Sequence, residues 1–96
     1  MEVQFRNRRL ARAYEDPIEA VRRWGPVVGE RYVKVVDLPY EAPSAAILFD
    51  VRALDFHRLT GDLRGLHALR LPGRVRLLVD LRGDTITVED VLDYHG

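Results

Sequence analysis

The stretch HALRLPGRVRLLVD, residues 67–80, decides the fold of this chain. Leucine or valine mostly alternates with arginine along both halves, and the residues PGR stand between the halves. An alternation with a period of two is typical of strands that bury one face. The stretch therefore predicts a β-hairpin with one apolar face and one face that carries arginine.

The length of the hairpin loop decides which side chains share a face. A two-residue turn would pair Leu69 with Arg76 and would mix apolar with charged positions. A three-residue loop pairs Leu69 with Leu77, and Arg70 with Arg76. Because the buried face fixes the register, the three-residue loop is predicted. Two arginines then lie directly opposite each other on the open face.

The opposed arginines leave two interpretations open. Like charges directly opposite destabilise a hairpin by up to about 1 kcal/mol, which an anion bound between them would offset. Arg74 in the loop would add to such a basic patch. Alternatively, the arginines stack on each other or pair with acidic residues such as Asp62 or Asp80. The alternation alone suggests an anion-binding surface and does not decide between the two.

Further strand-like runs surround the hairpin. DFHRL precedes it, TITVEDVLDY follows it, and EVQF, Glu2–Phe5, is a short first strand. The connections TGDLRG and RGD are rich in the glycine and aspartate that are typical of turns. The second half of the chain is therefore predicted to form a mainly antiparallel sheet.

Helices are predicted between the first strand and these runs. Asn7 can cap RRLARAYE, and DPIEAVRRW starts a second helix with Asp16 at the N-cap and Pro17 at the first helical position. Gly25 is expected to end that helix, and a further helix starts at Pro26.

The helix from Pro26 carries Val28, Tyr32 and Val35 on one apolar stripe, and Pro39 is expected to end or kink it. The segment APSAAILFDVRA then allows a short helix capped by Ser44.

Helices followed by strands, with one early strand, are typical of an α+β domain. Two or three helices would cover one face of the sheet, and the other face would be open. The 96 residues, 47% of them hydrophobic, are enough for one small core, so residues 1–96 are predicted to be a single domain.

Fifteen basic and fifteen acidic residues give a net charge of zero, which argues against a surface that is basic all over. Every cation is arginine except Lys34. The chain has no cysteine, so disulfides and cysteine metal sites are excluded. No apolar run approaches the roughly 18 residues that span a bilayer, and we expect a soluble, cytoplasmic protein without a membrane partner.

Three histidines are candidates for chemistry. His57 lies on DFHRL, where a lone strand histidine is more often packed or exposed than catalytic. His67 alternates with the leucines of the hairpin and is interpreted as structural. TGDLRG resembles a phosphate loop only superficially, because it lacks the Gly-Lys-Ser/Thr end and precedes no helix. Arg64 at its tip is a possible phosphate contact.

The third histidine belongs to the C-terminal triplet Asp93, Tyr94 and His95. One interpretation is structural, with Tyr94 anchoring the end of a strand. The other is an acid–base pair beside a phosphodiester, because histidine titrates near neutrality and either ring can give a proton to a leaving oxygen. Neighbouring arginines would stabilise a pentavalent transition state. No metal or other cofactor is expected if the nucleophile is the 2′-hydroxyl of RNA itself.

The chain resembles the HigB-type toxins, the plasmid-maintenance killer branch of the RelE/ParE superfamily, in the order of three segments. These segments are YEDPIEAVRRWGPVVGERYVKVV…EAPS, LDFHRLTGDLRGLHALRLPGRVRLLVD and VEDVLDYHG. The most specific parts are H-x-L-x-G-D-x-x-G, residues 57–65, the arginine hairpin and the terminal Asp-Tyr-His. The resemblance implies helices on a twisted sheet and a toxin that cuts messenger RNA in the ribosomal A site without metal. It also implies a helix-turn-helix antitoxin of the HigA type, through which alone the pair would contact DNA.

The resemblance also implies roles for individual residues. Asp93, Tyr94 and His95 match the catalytic triplet, His57 a second active-site histidine, and Arg76 the arginine that holds the scissile phosphate. His95 is expected to act as general acid or base, with Tyr94 and Asp93 orienting it and with His57 sharing the proton transfer. Four further arginines are expected to bind RNA: Arg70, Arg74, Arg64 and Arg58.

Two positions depart from the pattern of that family. Thr60 stands where a lysine is expected, and Val75 where a tryptophan is expected. Loss of the lysine removes a cation from the reaction centre. Two other functions therefore stay open: a binding module of the same fold without cleavage, and a ParE-like poison of DNA gyrase.

Overall fold

A layer of helices covers one face of a five-stranded sheet in the structure, a computed structural model that describes residues 1–93. The strands run in the order β1-β5-β4-β3-β2 across the sheet. β1 is parallel to β5, and the other neighbours are antiparallel. The α+β class is therefore confirmed. The strands are β1 Glu2–Phe5, β2 His57–Arg58, β3 His67–Arg70, β4 Val75–Arg82 and β5 Thr85–Asp93.

The helices begin where the capping residues predict. The Asn7 side chain accepts a hydrogen bond from the Leu10 amide at 2.9 Å, and Asp16 accepts one from Ile18 at 3.1 Å. The side chains of Asn7 and Asp16 thus accept hydrogen bonds from backbone amides that have no partner within the helix. The helices are α1 Arg8–Glu15, α2 Pro17–Glu41 and α3 Ala45–Phe49, and two short 3-10 turns cover Arg52–Leu54 and Gly61–Leu63.

α2 consists of two segments that meet at Gly25. Gly25 has a φ of +83°, in the region that favours glycine, so it ends the first segment as predicted. The second segment then packs against the first at Gly29. A Cβ at Gly29 would lie 2.6 Å from the backbone carbon of Ala20, so only glycine fits this crossing.

Pro39 does not end or kink the helix, contrary to the expectation. α2 continues to Glu41, and Gly25 is its only residue with non-helical dihedral angles. The proline lies near the helix end, where it removes a single intrahelical hydrogen bond. The carbonyls of Pro39 and Ala42 also accept hydrogen bonds from the amino group of Met1, at 3.1 Å for Pro39. This contact holds the last turn in place. Ser44 precedes α3 as predicted, but its side chain makes no capping bond.

The core lies between α2 and the sheet. Tyr32 and Val35 of the predicted stripe are fully buried, and Val28 is half-buried at its edge. The Tyr32 hydroxyl donates to the Leu10 carbonyl at 2.8 Å, so this buried polar group is paired. The Trp24 ring packs 4.5 Å from the Tyr32 ring, between centroids.

The hairpin has the predicted register. Leu69 pairs with Leu77, and Arg70 pairs with Arg76. The Leu71 amide donates to the Val75 carbonyl at 3.0 Å and closes the three-residue loop. Leu69, Leu77 and Val79 therefore face the helices, and the two arginines lie on the other side of the sheet.

Candidate active site

The register of the sheet places three of the predicted site residues on its open face. His57 pairs with Ala68 in β3, and Arg70 pairs with Arg76 in β4. Residues directly opposite, or two apart on one strand, point to the same face. His57 therefore lies in the row next to the arginine pair. Asp55, two residues before His57 and outside the strand, places its carboxylate between His57 and Arg70.

Arg70 and Arg76 share a pocket with a third arginine, Arg31 of α2. The pocket has a volume of about 470 Å³ and opens at the end of the sheet where the β3–β4 loop lies. Its other lining residues, among those that the structure describes, carry no charge: Ala53, Leu71, Pro72 and Gly73. Guanidinium groups present a planar fork of N–H donors that matches the oxygens of phosphate. The pocket is therefore suited to a phosphate or a similar oxyanion.

The hairpin loop fixes the position of Arg76. Its Nη1 donates to the carbonyl of Gly73 at 3.1 Å and to the carbonyl of Val75 at 2.8 Å. Arg76 is half-buried, and these bonds occupy one of its three guanidinium nitrogens. The remaining N–H groups are available for an anion.

Asp55 holds Arg70 from the other side. The Asp55 Oδ2 lies 3.6 Å from the Arg70 Nη2, and both side chains are about half exposed, so the ion pair is weak. Asp55 ends the 3-10 turn Arg52–Leu54 with φ +46° and ψ +45°. Among residues 1–93 it is the only non-glycine residue with a positive φ. Such a conformation costs energy, which the surroundings must compensate.

The same turn orients the ring of His57. The Asp55 carbonyl oxygen lies 2.6 Å from the Nδ1 of His57. Because a carbonyl only accepts, Nδ1 must carry the proton of a neutral ring, and Nε2 then has a free lone pair. The ring is about half exposed on the open face. Its Nε2 is therefore able to accept a proton from a bound ligand.

The other arginines expected to bind RNA do not line the pocket. Arg58 pairs with His67, so it points to the opposite face of β2 from His57. Arg64 follows the 3-10 turn Gly61–Leu63, and Arg74 lies in the hairpin loop; both are exposed. Thr60, at the position of the expected lysine, is also exposed.

Asp93 lies on the helix-facing side of the sheet. It pairs with Val75, and Val91, two residues earlier, pairs with the core residue Leu77. Asp93 lines a separate cleft of about 290 Å³ with Arg23 and Trp24. The sheet therefore separates its carboxylate from Arg70 and Arg76. Tyr94 and His95, the other members of the predicted triplet, lie outside the described residues.

His67 packs on the helix side, as its alternation predicts. Its ring lies 5.2 Å from the Phe56 ring and 5.9 Å from the Phe49 ring, between centroids. Burial lowers the pKa of His67, and the nearby charges of Arg58 and His57 lower it further. Its Nδ1 is buried and has no hydrogen-bond partner among the residues that the structure describes. This histidine is a packing residue.

Arg31 and Asp55 were not predicted from the sequence as site residues. Asp55 is the first residue of DFHRL and alternates with His57 in that run, so a signal for it existed. Arg31 is an exposed helical residue whose approach to the hairpin follows only from how α2 packs on the sheet. No sequence pattern indicates that approach.

Residues 1–93 contain neither a metal-binding cluster nor a membrane-spanning helix. No group of three histidine, cysteine or acidic side chains is placed to hold a metal ion. No helix within the described part of the chain combines the length and apolarity needed to cross a membrane.

Comparison with known proteins identifies the fold. The chain is similar to the crystal structure of YafQ from E. coli strain BL21(DE3), with a TM-score of 0.62 over 97% of this chain and 92% of that chain, at 8% sequence identity. A crystal structure of a histidine-to-glutamine mutant of YafQ from E. coli gives a TM-score of 0.57 over the same shares, at 13% identity. No family model and no curated protein matches the sequence. The fold is therefore RelE-like, the fold of YafQ.

Proposed function

We propose that this chain is the toxin of a type II toxin–antitoxin pair, an endoribonuclease of the HigB type that cuts messenger RNA on the ribosome. The RelE-like fold and the sequence motifs support the superfamily. The observation that carries the proposed activity is the pocket of Arg31, Arg70 and Arg76, next to a histidine whose Nδ1 is bound to a backbone carbonyl. This arrangement joins phosphate binding to proton transfer.

The proposed reaction uses the 2′-hydroxyl of the RNA as nucleophile. A base removes the proton of the 2′-hydroxyl, and O2′ forms a bond to the adjacent phosphorus. The bond from phosphorus to O5′ breaks, and an acid gives a proton to O5′. The products are a 2′,3′-cyclic phosphate and a free 5′-hydroxyl. The lone pair on Nε2 of His57 suits the base step.

The arginines act on the charge of the transition state. The phosphate gains negative charge when O2′ bonds to it, and fixed N–H donors stabilise this charge. Arg76 is held by the Gly73 and Val75 carbonyls before any ligand binds, so little reorganisation is needed. Arg31 brings a third guanidinium to the pocket. Its positive charge compensates for the lysine that is expected at position 60, where this chain has Thr60.

His95 and Tyr94 are proposed to supply the acid for the leaving O5′. Asp93 faces the helices, so its proposed role is to orient the end of β5 and not to touch the phosphate. Arg64, Arg74 and Arg58 are proposed to contact RNA on either side of the pocket, where they are exposed. The proposed partners are the ribosome, messenger RNA and a helix-turn-helix antitoxin of the HigA type, with the cytoplasm as the location.

A non-cleaving binding module is the second candidate. Thr60 in place of lysine and a net charge of zero favour it, because phosphate contacts dominate affinity for ribosomal RNA. Such a protein would keep the fold and its antitoxin partner and lose the chemistry.

Induction of the chain in a bacterial host, followed by mapping of the ends of cellular messages, tests the proposal. We expect growth arrest with new 5′ ends inside translated messages, both abolished by His57→Ala and by His95→Ala with Tyr94→Phe. Arrest that persists in these variants, with damage to DNA supercoiling, would point to gyrase. Growth without arrest at matched protein levels would favour the binding module. A helix-turn-helix protein encoded next door would support a toxin pair.

A further inference from the structure

We propose that Asp55 is the positioning residue of this site: its carbonyl sets the tautomer of His57, and its carboxylate sets the direction of Arg70. The expected effect of Asp55 on RNA cleavage rests on the proposed function, whereas its effect on the orientation of His57 and Arg70 rests on geometry alone. It assigns no contact with the reacting phosphate to Asp55 itself.

The backbone of Asp55 places its carbonyl at the ring of His57. The Asp55 amide donates to the Arg52 carbonyl at 3.0 Å and closes the 3-10 turn. The chain then turns through the left-handed region at Asp55, with φ +46°, before it enters β2. Asparagine and glycine adopt this region more readily than other residues, and aspartate tolerates it. The strained turn thus lies directly beside the candidate base, where strain often has a functional purpose.

The carbonyl contact fixes which nitrogen of His57 accepts a proton. The distance of 2.6 Å between Nδ1 and the Asp55 oxygen leaves room for one hydrogen bond, donated by Nδ1. The Oδ2 of the same residue lies 3.8 Å from Nδ1, so the side chain of Asp55 lies beside the ring as well. Asp55 therefore orients His57 for the base step through the contact of its carbonyl with Nδ1.

The carboxylate of Asp55 orients Arg70 but disfavours the binding of RNA. At 3.6 Å it holds one Nη of Arg70, while its negative charge repels a phosphate in the adjacent pocket. Removal of that charge should therefore strengthen RNA binding and, at the same time, release Arg70 from its direction. A residue with only a structural role would not separate binding from cleavage in this way.

Two variants separate the side chain from the backbone. Asp55→Asn keeps the shape and the tolerance for a positive φ, and removes the charge. Asp55→Gly removes the side chain at a backbone conformation that suits glycine, so the fold is retained. Asp50→Asn is the matched control, since Asp50 is exposed, precedes the same 3-10 turn and forms no side-chain hydrogen bond or ion pair within residues 1–93.

The first measurement is independent of activity. Nitrogen chemical shifts of the imidazole rings, recorded by NMR on the ¹⁵N-labelled wild-type chain, should show His57 with its proton on Nδ1. A His57 ring with its proton on Nε2 would overturn the carbonyl part of the proposal. Binding of a single-stranded RNA with 2′-O-methyl groups, which cannot be cleaved, should be equal or tighter for both Asp55 variants than for the wild type.

The second measurement is cleavage of messenger RNA in a cell-free translation extract. We expect kcat to fall about 10- to 100-fold in both Asp55 variants, without a rise in KM, because Arg70 is misplaced. Asp50→Asn should match the wild type. Unchanged cleavage in Asp55→Gly, or weaker RNA binding in both variants, would overturn the role of the carboxylate. If the wild type cuts no message, the proposed function fails, and the NMR and binding results still decide the role of Asp55.

Discussion

Arg70 and Arg76 lie directly opposite each other in the β3–β4 hairpin, and each is held by a different group. Arg70 is paired with the carboxylate of Asp55, and Arg76 donates to the carbonyls of Gly73 and Val75. The repulsion between the two cations is thus compensated within the protein on both sides. The pair stays in place without an anion, and it needs little rearrangement to bind one.

Replacement of Arg76 by alanine should lower cleavage of messenger RNA about 10²- to 10³-fold, the usual loss when one preorganised donor to transition-state charge is removed. The free energy of unfolding should change by less than about 1 kcal/mol, because the lost loop bonds and the relieved repulsion oppose each other. Rates of message cleavage and urea unfolding check both statements.

Arg82→Ala is the control for Arg76, because Arg82 ends the same strand, is exposed and pairs with Asp80. Arg82→Ala should leave cleavage unchanged. Equal losses of activity in the two variants would show that general basic charge, and not the pocket, determines the rate.

Arg31→Ala should weaken binding of single-stranded RNA and reduce its dependence on salt. One phosphate contact contributes about 0.7 to the slope of log K against log salt concentration, and this contribution should disappear. Lys34→Ala, one turn further along α2 and outside the pocket, should retain the full slope. Affinity measured over a series of salt concentrations checks the prediction, and identical slopes for the two variants would contradict it.

His67 should make the protein less stable in acid. Burial lowers the pKa of His67 in the folded state below its ordinary value of about 6.5, so the unfolded chain binds the proton first. The free energy of unfolding should therefore fall as the pH drops through about 6.5, and stop falling from this cause below the folded pKa.

His67→Leu removes this contribution and also the unpaired Nδ1. Urea unfolding at pH 7.5 and pH 5 should show a larger loss of stability in the wild type than in the variant. An equal loss in both proteins would assign the acid sensitivity to the carboxylates instead.

Gly29→Ala should destabilise the fold by about 1–3 kcal/mol or more, because the new methyl group would overlap with backbone atoms of Ala20 and Val21. Backbone cannot move aside as the end of a side chain can. Val27→Ala is the control, since Val27 is 67% exposed in the same helix, and its effect should stay within about 0.5 kcal/mol. Thermal or urea unfolding of the two variants tests the close crossing of the α2 segments.

The hairpin shows why part of the site was predictable. Because side chains alternate with a period of two and one face is buried, a single hairpin register pairs leucine with leucine. That register also pairs Arg70 with Arg76, and this prediction is confirmed. The helix starts at Asn7 and Asp16 were predictable for a similar reason, because short-range hydrogen bonds determine them.

Contacts between distant segments were not predictable in this way. Arg31 reaches the hairpin through the packing of α2 on the sheet, which no local pattern encodes. Pro39 lies within a helix, and its carbonyl accepts a hydrogen bond from the amino group of Met1, a contact across 38 positions that no local pattern predicts. Asp93 was expected with the arginines, and the alternation of β5 places it on the other face. Its catalytic role, with those of Tyr94 and His95, stays a prediction.

The parallel pairing of β1 with β5 has a consequence for biosynthesis. β5 lies between β1 and β4, so within residues 1–93 Glu2–Phe5 pairs only with a strand that leaves the ribosome some 80 residues later. A nascent copy that stops short of Thr85 has no strand between β1 and β4, and its hairpin lacks half of its support. Unfinished copies on a polysome are therefore expected to lack the assembled five-stranded sheet, which is completed only after β5 has left the ribosome.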